Sequence, residues 1–77
     1  MLAVERKKRW SRIEEEVKNE KSRLQTLKDR DEHIVLVMCS TEAYRQLRNE
    51  GYNIYPNHNK GYIGSYLCDL RHRIQHR

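Results

Sequence analysis

Along most of this chain apolar residues stand singly among charged ones, but at Ile34-Val35-Leu36-Val37-Met38-Cys39 six follow one another. Such a run is apolar on both faces of a pleated strand, so it predicts a central strand covered on both sides. Upstream, residues 4–30 contain no Gly or Pro and are dominated by Glu, Lys, Arg, Gln and Leu, which predicts one long helix. Its apolar positions are Ala3, Trp10, Ile13, Val17, Leu24 and Leu27. Trp10, Val17 and Leu24 recur every seven residues, Ile13 and Leu27 form the companion set, and Arg6 and Glu20 interrupt the seam. A seam of this kind either lies over the chain's own sheet or pairs with another helix. In the second case Trp10, Ile13, Val17, Leu24 and Leu27 would bind the partner.

After the apolar run, Ser40-Thr41 can cap a short helix over 41–50, with Ala43, Tyr44 and Leu47 on one face and Gly51 at its end. Tyr52-Asn53-Ile54-Tyr55 reads as a strand, 56–61 as a turn, and 62–64 as a third short strand or the lead-in to a helix. Strand, helix and strand in this order predict a right-handed crossover. Over 65–77 the residues Leu67, Leu70 and Ile74 align with Ile63 at helical spacing, which predicts a last helix with that side on the core. The expected fold is α+β: a long N-terminal helix (1–31), a small two- or three-stranded sheet centred on residues 34–39, and two further helices. All of it forms one domain over 1–77, with 33–77 as the compact part. A strand apolar on both faces needs two covers, and three amphipathic helices are there to supply them.

Composition narrows the partners. A chain of 77 residues buries only roughly 60–65% of its unfolded surface. With 36% hydrophobic residues and no Phe, help from a partner or a second copy is expected. Two cysteines, Cys39 and Cys68, allow at most one disulfide, so a reducing, cytoplasmic setting is the expectation. The charged start of the chain has no apolar core of a secretory signal, and no run reaches the roughly 18 apolar residues of a membrane span. Sixteen Lys and Arg against eleven Asp and Glu give a net charge of +5. Nucleic acid or an acidic protein is the partner such a balance predicts, with a homodimer through the helical seam as a further expectation.

Three constellations could carry chemistry. Cys68, His72 and His76 are four apart and share one side of the expected last helix, as two ligands of a zinc site can. That side points away from Leu67 and Leu70, so no metal site within one chain is expected, and a site between chains stays open. Cys39 is followed after five residues by Arg45, at the junction of a strand and a helix where thiolate phosphate-transfer enzymes hold their nucleophile. Residues 40–44 hold no glycine to wrap an anion, and Glu42 would repel one, so Cys39 is expected to be inert. No cofactor is expected.

The third constellation, Tyr62-Ile63-Gly64-Ser65 followed by Asp69-Leu70-Arg71-His72-Arg73-Ile74, resembles the second half of the GIY-YIG nuclease signature. The resemblance implies a Tyr-Ile-Gly strand leading into a helix that bears an essential arginine, with Arg73 matching that arginine and Tyr52 the first-strand tyrosine. It departs from the pattern in three places. The first half survives only as Gly51-Tyr52-Asn53-Ile54-Tyr55, the spacing to the arginine is one residue longer, and the glutamate that binds metal has no counterpart. A complete nuclease is therefore not expected.

The remaining signal is diffuse: tyrosines interleaved with cations toward the C-terminus. Rings that stack bases and cations that track phosphates are what a nucleic-acid surface uses. The sequence thus predicts a non-catalytic binding module with Lys60, Arg71, Arg73 and Arg77 on phosphates and Tyr55 and Tyr62 as stackers. A protein-interaction module or small inhibitor, using the heptad face of the long helix, is the alternative.

Overall fold

The computed structural model describes residues 2–58 and 64–74, with side chains from residue 8 onward. Five elements follow one another: α1 (Leu2–Asp29), β1 (Ile34–Met38), α2 (Thr41–Asn49), β2 (Tyr52–Pro56) and β3 (Ser65–Arg73). The chain is α+β with two helices, and the expected third helix is a strand. The crossover takes a split form, because β1, α2 and β2 follow in sequence while β3 inserts between the two strands.

Each helix stops for a local reason. At the end of α1 the N–H of Asp31 donates to the Lys28 carbonyl and the N–H of Glu32 to the Leu27 carbonyl. Asp31 sits in the left-handed region at φ 61°, so the last carbonyls are satisfied by a Schellman turn built on Asp rather than Gly. At α2, Ser40 caps the start by accepting from the Ala43 N–H, and Gly51, at φ 99°, turns the chain out. A side chain at Gly51 would strain that φ and bring its Cβ to 3.1 Å from the Ile74 carbonyl oxygen.

The three strands order as β1-β3-β2, antiparallel throughout. Leu67 is the hub of the register, opposite Leu36 on one side and Tyr55 on the other. Here the expectation of a helix over 65–77 is corrected. Tyr66, Cys68 and Leu70 are buried while Leu67 and Asp69 between them are half-buried, a two-residue alternation that a short apolar segment shares with helical spacing. Tertiary demand decides between the two. Neither β1 nor β2 pairs with the other, so both need β3 to satisfy their backbone groups. The run 34–39 is likewise corrected from central strand to edge strand, with β3 at the centre.

Both helices pack on the same side of the sheet. Ile13, Val17 and Leu24 of α1 join Ala43 and Leu47 of α2, Val35 and Val37 of β1, Ile54 of β2, and Tyr66, Cys68 and Leu70 of β3 in one core, with Leu27, Tyr44 and Tyr52 partly buried against it. Tyr44 of α2 stacks on Tyr66 of β3, ring centroids 4.3 Å apart and 10° from parallel. The heptad seam is therefore mostly used inside the chain.

Candidate functional site

With both helices on one side, the other face of the sheet has no cover among the described residues. Directly opposed residues of an antiparallel pair share a face, and the register assigns Ile34, Leu36, Tyr55, Leu67 and Asp69 to this outer side. Alternation adds Met38 and Arg71. Ile34 keeps 48%, Leu36 42% and Met38 58% of its surface exposed, while Val35 and Val37 between them are buried against the helices. Three large apolar side chains in one row of one strand is a patch, and patches rather than scattered residues mark contact surfaces.

On the outward positions of the described strands the two charges pair with each other. Arg71 donates to Asp69 through Nε and Nη2, both bonds 3.0 Å. The guanidinium, together with the Arg71 backbone N–H, holds the Asp69 carboxyl down at about 2. Both edges of the sheet are closed at their middle carbonyl by an arginine. Arg23 Nη2 donates to the Leu36 oxygen at 2.8 Å on β1, and Arg48 Nη1 to the Ile54 oxygen at 2.7 Å on β2.

Of the residues expected to meet nucleic acid, Arg71, Arg73 and Tyr55 are described, and Arg71 and Tyr55 share the outer face. Lys60, Tyr62 and Arg77 lie outside the described residues. Arg71 is held by Asp69. Arg73 donates to the Glu50 carbonyl and lies over the Tyr52 ring, 4.2 Å from its centroid. Tyr55 is half-buried on the outer face beside Leu67. No basic helix exists there to gather them. Of the expected partner-binding seam, Ile13, Val17 and Leu24 lie in the core and Leu27 is partly buried against it. Trp10 alone stays out, at 52% exposure.

The cysteines of the thiol and metal constellations both lie in the core. Cys39 is buried, and desolvation, with Glu16 and Glu20 adding to it, pushes its thiol up to about 12. The start of α2, where a phosphate would sit, is filled by the chain itself. Ser40 donates to the Glu16 carboxylate through Oγ at 2.6 Å and through its N–H at 3.1 Å. Cys68 is buried and pushed up to about 11 by desolvation. His76 is outside the described residues, among which no cluster of three or more His, Cys, Asp or Glu could hold a metal. Arg73, the arginine of the nuclease resemblance, sits on a strand rather than a helix, and Tyr62 and Ile63 are outside the described residues.

Compared with family models, with curated proteins and with solved structures, the chain finds no match. Among the described residues no helix is long and apolar enough to cross a membrane. The outward row Ile34, Leu36 and Met38 is the feature sequence reading misplaced. The signal was present in the run's need for two covers, and the second cover disappeared when 65–73 became β3.

Proposed function

We propose that this chain is a non-catalytic protein-interaction module that docks through the outer face of its sheet. The observation that supports this most is the exposed row Ile34, Leu36 and Met38 on a face that no helix covers among the described residues. Fully burying such a side chain is worth about 1.5–3 kcal/mol, and with 42–58% of each still exposed roughly half of that is left to gain on contact. The outward positions of the described strands carry only the paired Asp69 and Arg71 as charges, and depletion of charge is what the centre of a protein interface has. A photo-crosslinking amino acid placed at Leu36 should give products of higher mass, and the same group at Lys18, exposed on α1, should not. Equal yields from the two positions, or none from Leu36, would remove the reading.

A second reading has one observation behind it. Trp10 is exposed on α1 between exposed Lys8 and Arg12, a ring flanked by cations of the kind that holds a single nucleic-acid strand. It moves the nucleic-acid contact from the C-terminal segment to the start of α1. Binding that falls steeply with salt and is lost in Trp10→Ala is its expected signature. No binding to DNA or RNA at low salt would end it.

A further inference from the structure

We propose that the recess between Trp10 and the start of α2 takes one base of a single nucleic-acid strand, and that the adjoining phosphate takes Arg9 from Glu42. This rests on the second reading above and names the group that contends with the strand. Charge selects an anionic ligand for this part of the molecule. Residues 1–12 hold five Lys and Arg against one Glu, while residues 13–77 hold eleven Lys and Arg against ten Asp and Glu. Four of the five net positive charges therefore belong to the first twelve residues. Lys8, Arg9, Trp10, Ser11 and Arg12 are all exposed, and Ile13 is the first described side chain of α1 to enter the core.

The arrangement of these side chains fits a strand. At about 100° per residue, the order around the helix is Lys8, Arg12, Arg9 and then Trp10. Arg9 thus stands between the outer cations and the ring, where the phosphate beside a stacked base would lie. In the free chain a carboxylate has that place: Arg9 Nη2 donates to Glu42 Oε1 of α2. The pair is open to water, with 69% of the Arg9 side chain and 35% of the Glu42 side chain exposed, so it exchanges readily. Beside the ring lies a recess of about 370 Å³ lined by Arg9, Trp10, Ile13 and Glu42.

Each part of this geometry narrows the ligand. Free phosphate gains only the exchange of Glu42 for itself, whereas a strand adds a base stacked on Trp10. In a duplex the bases already stack on one another, which leaves single strands. A flat bilayer cannot follow a recess, and Trp10 is the one large apolar side chain among residues 8–12 that it could take up.

Trp10 is the only tryptophan, so its fluorescence reports the site without a label. Titration of the full chain with single-stranded oligothymidylate at low salt should quench it. Glu42→Gln keeps the size of the side chain and removes its charge, and should tighten binding about two- to fivefold, the range set by an exposed pair. That gain should vanish when Arg9→Gln is also present, with the circular dichroism of all variants unchanged. Equal affinity in wild type and Glu42→Gln, or a gain that persists without Arg9, would overturn the exchange and leave the Trp10 reading standing. No quenching by the oligonucleotide, or quenching by phosphatidylserine vesicles in its place, would refute both.

Discussion

The two faces of one three-stranded sheet have different fates, although the same strands build both. On the inner face Val35, Val37, Ile54, Tyr66, Cys68 and Leu70 lie under two helices and are buried, whereas on the outer face Ile34, Leu36 and Met38 are as apolar and stand in water. Residue type therefore does not decide burial here. The number of available covers does: α1 and α2 cover one side, and no described element is left for the other. An apolar face with no cover among the described residues is the kind of surface that contacts use.

The comparison can be broken most directly by truncation. Ile54→Ala, on the inner face, should cost about 2–5 kcal/mol in urea unfolding, while Leu36→Ala should cost under about 1 kcal/mol, because its side chain is already wet. Equal costs would mean the outer face is covered within one chain.

A smaller effect is expected at the seam between α1 and α2. Glu16→Gln weakens the charged bonds from Ser40 and the favourable placement of a carboxylate at the start of α2, for a loss of about 1–2 kcal/mol in the same assay. An unchanged midpoint would show that Glu16 is incidental to the cap.

Next comes an alkaline limb. Cys39 and Cys68 are buried as neutral thiols, pushed from an ordinary 9.0 up to about 12 and about 11. The unfolded chain loses these protons above about pH 9 while the folded chain keeps them, so stability should fall as pH rises from about 9 toward 11–12. Urea midpoints at pH 8 and 10.5 read this directly, and a thiol reagent at pH 8 should label both residues only as fast as the protein opens. Immediate labelling of Cys39 would contradict its burial.

The smallest effect belongs to the outer face. Asp69 is held at about 2 by Arg71, so its contribution is present above an ordinary carboxyl value near 4 and is lost as pH falls through about 2. Its partner Arg71 is exposed, so water screens the pair and Asp69→Asn should only slightly flatten the acid limb of the stability curve.

Much of the fold is legible in the sequence, and the exceptions share a cause. The long helix follows from a stretch free of Gly and Pro, and the short one from Ser40 and Gly51. Both are local signals, and α1 and α2 carry them. The segment 65–73 is not local in this sense. Leu67 and Leu70 fit a helix by spacing, while Tyr66, Cys68 and Leu70 fit a strand by alternation, and the choice belongs to β1 and β2, which have no other partner. That one misreading propagated. It supplied a basic helix for nucleic acid and a second cover for 34–39, and it placed Arg71 and Arg73 on a helix when they are held on a strand by Asp69 and by Glu50 with Tyr52. The heptad spacing left two uses open for Ile13, Val17 and Leu24, and in the fold they lie in the core. The pattern did not reveal that Trp10, in phase with them, lies outside the core.

The most direct test of the open face is a side-chain methyl spectrum of the labelled chain with a soluble paramagnetic agent added. Broadening concentrated at Ile34, Leu36 and Met38, with Ile13, Val17, Leu24, Leu47 and Ile54 spared, is what this account predicts. Outer-face methyls as protected as Ile54 would contradict it.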